Sequence, residues 1–326
     1  MERALLFLYA ETPVHVGADA SQGTIDLPIQ RDVSTGLPII KAESLKGALR
    51  ESFRPPKEKK RERDRWVRIF GAEPPSPGTA ADKLASGSLR VHEAQLVAFP
   101  APALARTFVW VTSPLARAWL ERKARLAGVR LAPQTDPGET RPEEAASAQP
   151  SDGVCLAAGR HDGRVALGPY LVDIRHAPAL AAWAQTLASL ALPDIAEYAY
   201  FREKLAADLH LCSDELLAAI SRDCAPVAAR VQLGTGEVDR AARKTVQYGP
   251  FHSEYLPSET LLVALLECDD HDHLLHVGQG LDHSVLRVGG DETLGKGLLW
   301  CRVVGADLSG PVGAAASAPQ TAEMGP

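Results

Sequence analysis

Apolar and polar positions along the chain fall into runs of two different periods, separated by glycine- and proline-bearing stretches. Arg3 to Ala10 is a β-rich run and reads as a first core strand. After it, Thr12 to Pro38 (TPVHVGADASQGTIDLPIQRDVSTGLP) shows little apolar periodicity. Loops longer than about 12–15 residues without secondary structure of their own are usually functional or disordered. The Leu27-Pro28-Ile29 run predicts that the far end packs down, so the stretch is expected to be a working surface. Leu37 to Lys41 is a short extended piece leading into a helix. There Leu45, Leu49 and Phe53 recur every fourth residue and face a core, with Lys46, Arg50 and Arg54 on the adjacent face. Pro55-Pro56 ends that helix.

KEKKRERDRWVRIFG follows, dense in charge. It predicts a solvated helix laced with i,i+4 pairs, a nucleic-acid surface being the alternative. Pro74 to Gly78 reads as a linker, Ser88 to Phe99 and Thr107 to Thr112 as strands. Ser113-Pro114 starts a helix to about Leu126, with Gly128 just past its end. Residues 132–153, rich in Pro, Glu, Ala, Ser and Gln, predict a flexible insertion. Val165 to Arg175 is strand-like; an alanine-rich helix through Leu190 and another at Phe201 to Ala207 follow. Leu209 to Cys212 is a short buried strand, and Ser213 with Asp214 caps the helix ELLAAIS. Val227 to Leu233 and Lys244 to Tyr248 flank GTGEVDRAAR and predict a long hairpin carrying Arg230, Arg240, Arg243 and Lys244. Thr260 to Glu267, Val285 to Val288 and Leu298 to Val304 are strands, and the low-complexity tail 307–326 is expected to be disordered. Strands and helices mix without strict βα alternation, which predicts an α+β sheet with insertions.

Composition narrows the function. A formal net charge of −6 over 326 residues argues against non-specific coating of nucleic acid, though a local basic stripe would suffice for contact. Five widely spaced cysteines without a CxxC pair read as reduced thiols of a cytoplasmic protein. The N-terminal apolar run is too short for a membrane span and lacks a signal-peptide cleavage pattern.

Four stretches could carry chemistry. GGDETLGKG (Gly289 to Gly297) allows positive φ and close backbone approach; it is either an anion site with Lys296 or a plain glycine turn between strands. SLKGALR places Lys46 in the first turn of a helix, where a phosphate could sit, or where a surface lysine could simply be solvated. Gly47 costs that helix about 1 kcal/mol relative to alanine, which hints at a close approach there. Asp26 and His15 are the acid–base candidates, although an aspartate before Leu-Pro is also a turn former. Cys268 to His276 (CDDHDHLLH) holds metal-type ligands but reads as an acidic loop after a core strand.

Several of these pieces resemble one family: LLFLYAETPVHVG, GTIDLPIQRDVSTGLPII, ESLKGALR, the IFG of Ile69 to Gly71, and GGDETLGKG are similar to the RAMP superfamily. The glycine-rich loop marks the superfamily. DLPIQR…TGLP…SLKGALR is more specific and resembles the repeated backbone subunit of type III-B (Cmr) CRISPR effector complexes. Both ends of the chain carry the likeness; Pro74 to Asp208 follows it in outline.

The resemblance implies one RAMP domain over residues 1–306, with an RRM-like (ferredoxin-type) core as palm and a protruding β-hairpin thumb at about 224–256. It implies copies stacked head to tail along a guide RNA (crRNA), a single-stranded target RNA, other Cmr subunits and no membrane partner. The thumb would wedge into the guide–target duplex and displace a nucleotide pair at regular intervals. Asp26 corresponds to the aspartate with which such subunits cut target RNA, a divalent metal (Mg2+ or Mn2+) being required. The implied chemistry is in-line attack of the 2′-OH on the adjacent phosphate, leaving a cyclic phosphate; Asp26 could hold the metal or take the hydroxyl proton. His15 would position the phosphate or the loop. RNA contacts would fall on Lys41, Ser44, Lys46 and Arg50, on Gly289, Gly290, Thr293, Gly295, Lys296 and Gly297, and on Arg230, Arg243 and Tyr248 of the hairpin. Stacking aromatics of an ordinary RRM are not evident, so the RNA backbone would be held in one groove with the acidic remainder facing solvent. Two other readings stay open: a scaffold whose partner cuts, and a stand-alone guide-processing ribonuclease using His15 as base.

Overall fold

A computed structural model describes residues 1–18, 21, 23–72, 86–131, 150–151, 153–160, 163–234 and 245–305, with the backbone alone at 232–234 and 245–248. The Pro74–Gly78 linker, nearly all of the 132–153 insertion, Arg240, Arg243 and Lys244 of the hairpin, and the tail lie outside the described residues.

The first half of the chain gives β1 (Glu2–Ala10), β2 (Ile39–Ile40), α1 (Ala42–Ser52), α2 (Lys60–Phe70), β3 (Leu89–Val91), β4 (Ala94–Ala103), β5 (Thr107–Thr112) and α3 (Pro114–Leu126). Then come β6 (Val154–Ala157), β7 (Gly163–Leu167), β8 (Tyr170–His176), α4 (Pro178–Ala191), α5 (Ala199–Asp208), β9 (Leu209–Leu211) and α6 (Asp214–Asp223). The last part is β10 (Val227–Gly234), β11 (Thr245–Glu254), β12 (Leu261–Cys268), α7 (His271–Leu281), β13 (Ser284–Arg287) and β14 (Leu298–Val304).

Strand β1 is apolar on both faces because both are covered. Ala4, Leu6 and Leu8 enter one core, with Leu45 and Leu49 of α1, Trp66 and Phe70 of α2, and Leu274 and Val277 of α7. Leu5, Phe7 and Tyr9 point to the opposite core, against Leu120 of α3, Trp183 and Leu187 of α4, and Leu205 of α5. The strand order is β13-β14-β1-β12-β4, antiparallel throughout. From β4 the sheet continues through β5, β9, β6, β8 and β7, and the Ala103–Leu167 pairing returns β7 to β4. This six-stranded, barrel-like unit encloses a third core around Phe99, Val111, Ile174 and Ile220. The mixed α+β expectation is thereby met.

Three local expectations are corrected. Val165 to Arg175 is not one strand but the β7–β8 hairpin, which turns at Gly168 with φ +55°. Strand β6, too short to stand out beside the insertion, was not foreseen. The acidic stretch after Cys268 is the start of core helix α7: Asp270 caps it by accepting the His273 amide at 3.1 Å, and Leu274, Val277 and Leu281 bury one face. All five cysteines are free thiols. Among the described residues no helix is long and apolar enough to cross a membrane.

Candidate functional site

The long loop after β1 is folded onto the hairpin β10–β11. Val14 and Leu256 exchange backbone hydrogen bonds of 2.9 and 2.8 Å. Gly17 bridges to Ile29 across the loop. Leu27 lies parallel to Ser253, its amide donating to the His252 carbonyl at 3.0 Å and its carbonyl accepting from Glu254 at 2.9 Å. Val14, Val16 and Ile29 are buried, so the loop packs down as its apolar residues required.

This threading sets Asp26 at the edge of β11. Its Oδ2 accepts the His252 amide at 2.8 Å, and the His252 imidazole Nδ1 stands 3.4 Å from the same oxygen. Half of the Asp26 side chain is exposed. The amide hydrogen bond from His252 holds the carboxyl below the usual aspartate range, so it is an anion at neutral pH.

Two residues that sequence reasoning missed hold this arrangement. Glu254, 2% exposed, accepts the Ile29 amide at 3.0 Å and pairs with the guanidinium of Arg31. Arg31 also donates to the carbonyls of Gly36 and Ser221, both at 3.1 Å. The partners are 223 positions apart, and neither has a local pattern that announces the other.

His15 is nearly buried, and its Nδ1 donates to the Glu254 carbonyl at 2.7 Å. Its own carbonyl accepts the Gly290 amide at 2.9 Å. Gly289 permits that approach: with φ +93°, an added Cβ would lie 2.2 Å from the His15 oxygen. His15 and Asp26 thus reach residues two apart on β11, and no hydrogen bond joins them. The rest of the glycine loop is tied to the same place. Asp291 accepts from Arg230 at 2.6 Å and from the Tyr255 hydroxyl at 3.0 Å. Lys296 lies over the Tyr255 ring, and the Gly297 amide donates to Pro13. Thr293 and Gly295 are exposed at the tip.

Between α1 and this loop runs a groove of about 800 Å³, lined among others by Gly17, Gln30, Ser44, Gly47, Gly289 and Gly290. Lys41 precedes α1, its amide donating to the Gln30 side chain at 2.8 Å. Lys46 and Arg50 lie on a different face of the helix. Lys46 donates to the Leu89 carbonyl at 3.1 Å in a second cleft, where burial lowers its pKa, and Arg50 stacks on Trp66 at 4.5 Å. The structure therefore brings Ser44, Gly47, Gly289 and Gly290 to one groove and turns Lys46 and Arg50 away from it. Arg243 and the Tyr248 side chain lie outside the described residues.

Among the described residues no group of three or more His, Cys, Asp or Glu could hold a metal. The Cys268–His276 stretch is dispersed: Asp269 pairs with Arg90 at 2.8 Å, His273 Nδ1 meets the Ser88 hydroxyl at 2.8 Å, and the His276 ring packs on Phe53.

Comparison with known proteins is consistent across sequence and fold. The RAMP superfamily model matches residues 7–300. The CRISPR system Cmr endoribonuclease Cmr4 of Pyrococcus furiosus is 28% identical over 310 residues, covering 92% of this chain and 95% of that protein. The chain is homologous to it over nearly its whole length. In fold, it is similar to oligomeric Cmr4 from P. furiosus with a TM-score of 0.63 and 21% identity, covering 94% of this chain and all of the other. A chain of the type III-B Cmr-beta complex bound to cognate target RNA gives a TM-score of 0.64 at 19% identity, over 93% of this chain and 97% of that one.

Proposed function

We propose that this chain, which belongs to the RAMP superfamily, is a backbone subunit of a type III-B CRISPR effector complex that holds a guide RNA and cuts the complementary RNA at Asp26. The observation that carries the reading is the Asp26 carboxylate itself: exposed, anionic, and fixed by the His252 amide beside the hairpin. Homology to a protein named an endoribonuclease supports the activity. The β14-β1-β12-β4 order, with α1 and α7 on one face, supports reading the core as an RRM-like palm and β10–β11 as its thumb. Likeness to an oligomeric relative and to complexes holding target RNA supports stacked copies along RNA.

In this reading the guide backbone lies in the groove between α1 and the glycine loop. Ser44 and the loop amides supply hydrogen-bond donors, and Gly47 lets the strand approach. The tip residues Thr293, Gly295 and Lys296, with Lys41 and Arg230, contact phosphates around it. His15 keeps the glycine loop in register with the hairpin. At the cut, the 2′-oxygen bonds to the adjacent phosphorus in line while the bond to the 5′-oxygen breaks. A 2′,3′-cyclic phosphate and a 5′-hydroxyl end result; the 2′-OH proton is lost and the leaving oxygen gains one. An aspartate held below its usual pKa is a weaker proton acceptor near neutrality and a good ion ligand. A lone exposed carboxylate fits Mg2+ or Mn2+, which keeps several waters and takes further ligands from substrate phosphates. When bound there, such an ion would neutralise charge developing on the cleaved phosphate.

Asp26→Asn tests the reading. It should abolish target cutting while guide binding and oligomer size stay unchanged, and chelation of divalent metal should stop cutting without releasing the guide. Cutting by Asp26→Asn at the wild-type rate would transfer the chemistry to a partner and leave this chain a scaffold.

A further inference from the structure

The groove does not explain how a chain of net charge −6 attracts a polyanion. Among its described lining residues Arg287 is the one cation, against Glu43, Glu51 and Glu292. The positive charge is concentrated elsewhere. Between positions 57 and 68 there are seven Lys or Arg residues and three Asp or Glu. Helix α2 turns Trp66, Ile69 and Phe70 inward. Trp66 pins it to α1: the indole donates to the Arg50 carbonyl at 2.8 Å, and the Arg50 and Arg54 guanidinium groups lie over its ring at 4.5 and 5.6 Å. On the outward face Arg61, Arg65 and Arg68 recur at i, i+4 and i+7. All three are exposed, and their side chains have no hydrogen bond or ion pair to any described residue.

A solvated helix stabilised by its own charges would place opposite signs at these spacings. Within α2, Arg61 and Arg65 stand at i,i+4 with like sign, which disfavours an isolated helix, whereas Asp64 offers Arg68 an opposite charge at that spacing without pairing with it. Burial lowers the pKa of His276 on neighbouring α7; the charge of Arg65 adds to that and Glu62 opposes it. The helix ends at Phe70 and Gly71 in the cleft of about 530 Å³ that holds Lys46 and Arg90.

We propose that the Arg61–Arg65–Arg68 face of α2 is a second, sequence-independent contact for the phosphates of single-stranded RNA, separate from the groove. This rests on the RNA-binding reading above and adds to it a surface that supplies the electrostatic part of the affinity. Guanidinium groups on a rigid helix suit phosphate oxygens, and the net negative charge of the rest of the chain disfavours contact outside this face and the groove.

The test compares the full chain with its Arg61→Gln/Arg65→Gln/Arg68→Gln variant, binding labelled single-stranded RNAs of two unrelated sequences across a salt series. Glutamine keeps the helix propensity, and a Glu58→Gln/Asp64→Asn chain controls for general charge change. The slope of log Kd against log salt should become shallower by about 2, since each phosphate contact on a single strand accounts for about 0.7. Both sequences should weaken alike, and oligomer size should not change. An unchanged slope and Kd, with wild-type binding intact, overturns the proposal. An unchanged slope with loss of oligomers also overturns it, and assigns the face to a second copy of the chain. If the wild-type chain binds neither RNA at any salt, the RNA-binding function fails first.

Discussion

Arg31→Met should release the loop that carries Asp26 from the hairpin. The Arg31 and Glu254 side chains are 11% and 3% exposed, so the substitution leaves the Glu254 carboxylate buried, still bonded to the Ile29 amide but without its counter-charge. Removing one partner of a buried pair costs about 3–5 kcal/mol, most of it the stranded charge rather than the lost attraction. Arg31 also gives up its bond to Gly36 within the loop and its bond to Ser221, which fastens the loop to the end of α6. By contrast, the Arg117–Glu121 pair on α3 is 35% and 47% exposed, and losing the ion pair should cost less than about 1 kcal/mol. Replacing both partners, as Arg31→Met/Glu254→Gln, leaves no charge buried and keeps an acceptor for Ile29. It should recover much of the loss, with a coupling of about 2 kcal/mol between the two changes. Urea unfolding measures the energies, and hydrogen exchange at the Leu27 and Ile29 amides shows whether the loop opens locally. Because the same contacts hold Asp26 beside His252, target cutting should fall with guide binding retained. A cost below about 1 kcal/mol for Arg31→Met, or additive single and double variants, would refute the reasoning.

Further tests probe the groove and the interior. Gly47 sits mid-helix with nothing within 4 Å of where a Cβ would stand, so Gly47→Ala should stabilise the chain by about 0.5–1 kcal/mol in a thermal melt. The same methyl projects into the groove and should weaken guide binding in a filter assay. Gly289→Ala should do the opposite to stability, losing at least about 1 kcal/mol, because φ is +93° and the His15 carbonyl blocks the site. Glu259, beside the Tyr9 hydroxyl, has its carboxyl raised by burial from 4.5 to about 7. Between those values the folded chain keeps a proton that the unfolded chain has lost, so this group makes stability fall as pH rises from about 4.5 to about 7. Glu259→Gln should remove that slope, its advantage over wild type growing across the window and levelling off above it.

The elements were legible where periodicity or capping chemistry is local. The strand at β1, the Leu45–Leu49 stripe of α1, the Ser113 and Ser213 caps and the β10–β11 hairpin all follow from residues within a few positions of one another. What failed was short or mixed in signal. Four residues of β6 cannot show a period, and the Asp-rich start of α7 hid a helix whose apolar face begins only at Leu274. The candidate site was legible as residues but not as geometry. Ser44 and Lys46 are near in sequence and leave α1 in different directions, one to the groove and one to Leu89.

The geometry has a topological cause. Strand β1 is antiparallel to both neighbours, with Tyr9 opposite Leu261 and Ala10 opposite Leu299. The place where β1 ends is therefore the place where β12 and β14 begin: the Ala10 amide donates to Thr260, and that of Glu11 to Leu298, both at 2.9 Å. Whatever follows β1, precedes β12 and precedes β14 must then meet at one end of the sheet. Those three segments are the loop carrying His15 and Asp26, the hairpin strand carrying His252 and Glu254, and the glycine loop from Gly289 to Gly297. Nothing in any one of them predicts the others. Two antiparallel pairings on one central strand bring them together, and the hydrogen bonds of His15, Arg31 and Asp291 then fix a convergence that strand direction had already imposed.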